Sequence, residues 1–203
     1  MRFVLASNNA HKLTEVREIL GPEGWEILSQ REAGIAVDPE ETGETFEENA
    51  LIKARAACAA SGLPAIADDS GLTVKALDGA PGVRSARYGG PGLSDRERYG
   101  LLLENMRGAE DRSAAFVCCI ACVFPDGTEL TAEGRCEGTI LTEPEGDGGF
   151  GYDPVFFSAD RQRSMGVMTH EEKNGISHRG RALRAMSGLL RDHLAGKKGD
   201  GEA

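Results

Sequence analysis

The stretch Ala65-Ile66-Ala67-Asp68-Asp69-Ser70-Gly71-Leu72 constrains this chain more than any other. A short apolar run after Leu63-Pro64 reads as a buried strand, and it ends abruptly in two carboxylates, a hydroxyl and a glycine. Adjacent carboxylates are costly to hold together unless positive charge lies beside them, and a hard divalent cation such as Mg2+ meets that need. Asp, Ser and Gly are also turn formers, so a plain turn is the competing interpretation.

Charge narrows the partners. Lys and Arg total 23 against 33 Asp and Glu, a formal net charge of -10 over 203 residues. Such a surface repels polyanions, which argues against a general nucleic-acid or membrane-surface binder. A small anionic substrate is still accommodated if local cations and a metal overcome the background field. The N-terminus turns polar at Ser7, too early for a signal-peptide core, and no apolar run reaches the ~18 residues of a membrane span. A cytoplasmic location is expected. Three of the five cysteines crowd at Cys118, Cys119 and Cys122. They lie in Phe116 to Phe124, which reads as strand, so Cys119 and Cys122 should face opposite sides of a sheet and serve as small buried groups.

Along the chain, Phe3 to Ala6 reads as a first strand. Ser7, Asn8, Asn9, Ala10, His11 and Lys12 follow, and then a helix with Leu13, Val16, Ile19 and Leu20 on one stripe, stopped by Gly21-Pro22. A strand running into a polar loop and a helix N-terminus gathers free N–H groups and the positive dipole end, and Lys12 adds a full charge, which suits an anion. The alternative is that Ser7 or Asn8 merely caps the helix. A short strand is expected at Ile27-Leu28. Thr45 with Glu48 fits a capping box for a helix with Phe46, Ala50, Ala54 and Ala57 on a narrow stripe, which Asn49 and Lys53 border. A separate strand is expected from Thr73 to Leu77.

Gly79 to Gly90 is glycine-rich, with Arg84, Arg87 and Tyr88, and reads as an irregular, mobile cover. Ser94 to Met106 should be a helix. Ala114 to Phe124 and Glu129 to Ile140, around Pro125-Asp126-Gly127-Thr128, read as a β-hairpin long enough to project as an arm. In Gly146 to Phe157, glycines surround Phe150 and Tyr152 together with Asp153. A flat heteroaromatic ring needs that set: backbone clearance, a face to stack on and an acceptor. The other interpretation has Phe150 plugging the core. Lys173, His178 and Arg179 cluster just ahead of a last helix expected to run to about His193. The pattern predicts an α/β fold with a mixed, elongated β-sheet flanked by helices, one domain over residues 1–195, and a disordered polar tail over 196–203.

Six segments, taken in order, closely resemble the inosine triphosphate pyrophosphatase-like family: Ser7 to Lys12, Glu40-Glu41-Thr42-Gly43, Phe46 to Ala50 with Lys53-Ala54, Asp68 to Leu72, Gly149 to Pro154, and Ser177-His178-Arg179-Gly180. The resemblance implies a homodimeric, two-lobed protein with the nucleotide in a central cleft. With Mg2+ it would hydrolyse the non-standard purine nucleotides dITP, ITP and XTP to the monophosphate and pyrophosphate. It also implies that Ser7, Asn8, Asn9, Ala10, His11 and Lys12 wrap the triphosphate with help from Lys53. Asp69 would act at the metal and as base for water. Glu40, three residues before the loop glycine, would be a further metal carboxylate. Phe150, Gly151, Tyr152 and Asp153 would enclose the purine with Lys173, His178 and Arg179, and Ser70 would contact the substrate. Arg84 and Arg98 depart from the family's pattern.

A cationic donor such as Arg179 or Lys173 favours purines with an oxygen at position 6 and is left unpaired by adenine. The rival function is a non-hydrolysing purine nucleotide sensor using the same loops. Paired aspartates argue against it, since a binder of polyanions needs fewer carboxylates. An unrelated Mg2+-dependent phosphomonoesterase is a third reading, disfavoured because Asp68 and Asp69 are adjacent rather than spaced Asp-x-Asp.

Overall fold

Three consecutive apolar residues, Phe3, Val4 and Leu5, are buried on both faces of a strand that pairs in parallel on either side, the pattern of a parallel strand covered by helices. The computed structural model describes residues 1–199, and their side chains except at positions 170, 174 and 197–199. In chain order the elements are β1 (Arg2–Leu5), α1 (Ala10–Leu20), β2 (Glu26–Ser29), α2 (Phe46–Ser61), β3 (Ala65–Val74), α3 (Asp95–Asn105), β4 (Ser113–Val123), β5 (Glu129–Ile140), β6 (Phe156–Ser158), β7 (Arg163–Ser164), α4 (His170–Ile176) and α5 (His178–Gly199). Among the described residues the strands form one sheet in the order β2-β1-β3-β4-β5-β6-β7. It is mixed: β1 runs parallel to β2 and β3, while β5, β6 and β7 pair antiparallel. The expected α/β class with a mixed sheet and flanking helices is therefore found.

The chain divides into two compact units. The first comprises Met1–Asp69, Cys118–Gly134 and the chain from Arg179. Here strand alternation sorts the core into two layers. Phe3, Leu5 and Ile66 pack with Val16 and Leu20 of α1 and with Leu183, Met186 and Leu190 of α5. Val4, Ala6, Ala65 and Ala67 pack against Ala50, Ala54 and Ala57 of α2, where small side chains let helix and sheet approach closely. The capping box of α2 forms as expected, with Thr45 Oγ1 accepting from the Glu48 amide and Glu48 accepting from the Thr45 amide. Cys118 and Cys122 share one layer with Ile120, whereas Ala121 and Val123 face the other, so alternation places Cys119 opposite Cys122. Burial pushes the Cys119 thiol up to about 12.

The second unit comprises Ser70–Val117 and Arg135–His178. Its core gathers Leu72 and Val74, Leu102 of α3 and Met106 just after it, Phe116, Ile140, Tyr152 and Phe156.

Four expectations are corrected. β3 does not end at the aspartates but runs ten residues through them and takes in Thr73, which overturns both the strand-end and the turn interpretations. β4 is buried from Ala114 to Val123, so it lines the core and is not a projecting arm. The Gly79–Gly90 segment is pinned: residues Gly82–Arg87 form a 3-10 turn, and the buried Ser85 hydroxyl accepts from the Leu72 amide at 2.8 Å. α5 continues past His193 to Gly199, because the sequence up to Leu194 keeps packing on the core; the rest of the expected tail, 200–203, lies outside the described residues. No helix among the described residues is long and apolar enough to cross a membrane.

Arg98, one of the two departures from the family pattern, explains part of that pinning. It is buried, and its guanidinium donates to the carbonyls of Tyr88 at 2.6 Å and Leu93 at 2.9 Å. Removing it orphans two carbonyls, so Arg98→Ala is expected to cost about 3 kcal/mol in urea unfolding. Arg98→Lys should recover little of this, since an ammonium lacks the planar fork. An Arg98→Ala protein as stable as the parent would remove this role.

Candidate functional site

Because side chains alternate along a strand, Asp68 and Asp69 leave β3 on opposite faces, and each meets its own cations. Asp68, 3% exposed, accepts from Lys12 Nζ at 2.9 Å and from Arg179 Nε at 3.2 Å. Lys12 comes from the first turn of α1 and Arg179 from the first turn of α5. Burial pushes the Asp68 carboxyl up, but Lys12 and Arg179 outweigh it and hold it well below the usual carboxylate range. Burial likewise opposes the charge on Arg179, yet Asp68 and Glu15 raise its pKa. Glu15 accepts from Arg179 Nη1 at 2.9 Å.

Asp69 meets a different set. Its Oδ1 accepts from Lys53 Nζ at 3.0 Å, and the same ammonium donates to Glu41 Oε1 at 2.7 Å. Here burial and the nearby Glu41 raise the carboxyl's pKa, and Lys53 with Asn49 only partly offsets them. Two consecutive carboxylates thus have their proton affinities moved in opposite directions, which is how one site separates a fixed anion from a base. Burial acts against the Lys53 ammonium, but Asp69 and Glu41 keep it charged.

The structure relocates several predicted residues. Glu41, not Glu40, is the acidic-loop carboxylate on the Lys53–Asp69 cluster; Glu40 is exposed. Chain alternation through this extended segment turns one glutamate in and the other out. Asn9, rather than Ser7 or Asn8, caps α1: its Oδ1 accepts from the amides of His11 at 2.9 Å and Lys12 at 3.3 Å, while Ser7 Oγ accepts from the Asn9 amide. Asn8, Ala10 and His11 are exposed at that helix start, and Ser7 and Ser70 are half-buried. Arg179, expected at the purine, is ion-paired with Asp68 and Glu15.

In the second unit, Phe150 is 70% exposed, which overturns the core-plug interpretation. Lys173 Nζ lies 4.0 Å from its ring centroid and is ion-paired with the buried Asp153. Asp153 also accepts from the Phe150 amide at 2.9 Å, closing a small hub under an exposed ring. Gly149, at φ +77°, is required there, because a Cβ would fall 2.2 Å from the Asp153 carboxylate. Gly151 donates its amide to Asp95 at the start of α3. Tyr152 is the aromatic that plugs the core, 4% exposed, with its hydroxyl donating to the Ser85 carbonyl at 2.9 Å, so its ring is not a free stacking face. His178 stacks on Phe116 at 5.3 Å and 16°.

Sequence reasoning missed Glu15 and Asp95. Glu15 lies three residues after Lys12 on one helix, hence on the same face, and that spacing was the available signal. Nothing local in the sequence pairs Asp95 with Gly151, which lies 56 residues away.

The profile of the Ham1 family matches residues 3–189. A dITP/XTP pyrophosphatase of Desulfotalea psychrophila is 51% identical over 181 residues, 89% of this chain and 81% of that protein. A dITP/XTP pyrophosphatase of Thermus thermophilus is 48% identical over 194 residues, 95% of this chain and 93% of its own. A solved HAM1 protein from Coxiella burnetii superposes with a TM-score of 0.88 at 46% identity, covering 95% of this chain and 99% of that one. The resemblance carried by the six segments is thereby borne out, and the chain belongs to the Ham1 family.

Proposed function

We propose that this protein hydrolyses non-standard purine nucleoside triphosphates, dITP, ITP and XTP, to the monophosphate and pyrophosphate. We further propose that it acts in the cytoplasm as a homodimer, with residues 1–195 as one catalytic domain. The observation that carries the chemistry is that Asp68 meets Lys12 and Arg179 on one face of β3 while Asp69 shares Lys53 with Glu41 on the other. The names of near-half-identical relatives support the substrate class.

In this reading water attacks the α-phosphorus, the bond from that phosphorus to the bridging oxygen breaks, and pyrophosphate leaves. Asp69, held in place by Lys53 at 3.0 Å, takes the proton from water. Lys53 and Lys12 neutralise charge on the triphosphate, helped by backbone groups of the Ser7 to Lys12 segment. Asp68 does not compete for the proton; it aims Lys12 and Arg179.

The donor set suits Mg2+. Glu41 and Asp69 are hard oxygen ligands that share a single ammonium, so their cluster is one positive charge short of neutral. Among the described residues no three His, Cys, Asp or Glu side chains gather as a full cage. Mg2+ is usually held in such a way, by one or two carboxylates, with waters and substrate phosphates completing the shell. Glu41 and Asp69 would hold it, in place of the expected Glu40. When bound, it supplies charge neutralisation at phosphate oxygens.

In the second unit the exposed Phe150 ring offers a face for the purine. Lys173 provides a donor for a 6-oxo group, and that donor is left without a partner when adenine is present.

Asp69→Asn should keep the fold and lose at least ~100-fold in kcat, the low end for a missing general base. Near-normal turnover removes Asp69 from the mechanism. Across a nucleotide panel with Mg2+, pyrophosphate release should favour dITP and XTP over dATP and dGTP. Equal kcat/KM for all four would sink the substrate assignment. Nucleotide binding without pyrophosphate release would identify a sensor, and orthophosphate as product a phosphomonoesterase.

A further inference from the structure

Asn49 has no part in the chemistry above, yet it is 0% exposed and polar, and a buried amide is retained at a cost unless its groups are satisfied. Its Oδ1 accepts from the Gly43 amide at 2.8 Å. That bond fixes which way the side-chain amide is turned, because a backbone N–H accepts no hydrogen bond. Nδ2 is therefore directed to the Gly43 carbonyl at 3.4 Å and to Asp69 Oδ2 at 3.5 Å. The Gly43 backbone lies hard against this side chain: a Cβ there would stand 2.6 Å from Glu48 Cβ and 2.8 Å from Asn49 Oδ1. Gly43 is two residues from Glu41. One side chain thus ties the loop that carries Glu41 to the strand residue Asp69, while Lys53 joins the same two carboxylates through its ammonium.

We propose that Asn49 is a positioning residue that sets the spacing of Glu41 and Asp69, and through that spacing the affinity for a divalent cation. The inference rests on the metal reading of this cluster and adds a residue that neither touches the metal nor the nucleotide. A side chain that orients metal ligands typically contributes 10–100-fold in metal affinity or activity.

Two variants test it. Asn49→Ala removes the tie. Gly43→Ala pushes the loop off the amide without replacing any proposed ligand, and it decides the matter should Asn49→Ala not fold. The probe is Mn2+, titrated against nucleotide-free protein by electron paramagnetic resonance, alongside the Mg2+ concentration that gives half-maximal pyrophosphate release from dITP. Each variant should weaken Mn2+ binding and raise the Mg2+ requirement by at least ~10-fold. KM for dITP at saturating Mg2+ should stay within about 2-fold, since ground-state contacts to the nucleotide are untouched. A purely structural role predicts a lower thermal midpoint with unchanged metal affinity, and that outcome overturns the proposal. If the parent protein binds no Mn2+, the metal reading falls and this inference with it. If the parent binds Mn2+ and both variants match it, this inference alone falls.

Discussion

Two ionised carboxylates on consecutive residues of a buried strand persist only if each face of that strand brings its own positive charge, and the rest of the first unit is arranged to do so. Stripping water from a carboxylate costs several kcal/mol, and an unpaired one would simply take up a proton. On one face α1 and α5 deliver Lys12 and Arg179 to Asp68; on the other α2 delivers Lys53 to Asp69. The two deliveries are unequal. Asp68 meets two cations, one of them shared with Glu15, whereas Asp69 shares its single cation with Glu41. From that inequality follows the opposite displacement of their proton affinities, and with it the distinction between a residue that fixes cations and one that can accept a proton.

The second unit repeats the logic with aromatic rings. Phe150 and Tyr152 are two residues apart, and one is wet while the other is dry. Tyr152 is held inward by its bond to the Ser85 carbonyl and by packing with Leu72, Val155 and Phe156. Phe150 is kept outward because Asp153, buried beneath it, takes the Phe150 amide on one side and the Lys173 ammonium on the other. The lysine ammonium is thereby placed over the ring and not released to solvent. Asp95 adds a second anchor through the Gly151 amide.

Much of this was legible in the sequence because it is local. The capping box at Thr45 and Glu48, the alanine stripe of α2 and the alternation that separates Cys119 from Cys122 depend on neighbours three or four residues away, or on strand parity. The length of β3 was not legible, because Asp, Ser and Gly are poor strand formers; only remote Lys12, Lys53 and Arg179 make extended backbone tolerable there. Which of Glu40 and Glu41 reaches the Lys53–Asp69 cluster was not legible, for a related reason. Counting back from Gly43 fixes the register of a motif but not which side of an extended chain faces inward, and that is decided by Lys53. The exposure of Phe150 against the burial of Tyr152 was likewise set by remote partners: Lys173, 20 residues from the Asp153 it pairs with, and Ser85, 67 residues from Tyr152.

In the proposed reaction the same pairings let an acid-rich chain handle a polyanion with cations that are already matched. Lys12 and Arg179 are matched by Asp68 and Glu15, and Lys53 by Asp69 and Glu41, so each cation is already placed and partly neutralised. Placing it beforehand removes the entropy of ordering a long side chain at the moment of binding. Partial neutralisation weakens the pull on a singly anchored phosphate more than on a chain of three that engages several cations at once. In the proposed reaction, then, the same matched pairs that hold a triphosphate have less grip on the separated monophosphate and pyrophosphate, which favours their release over their retention.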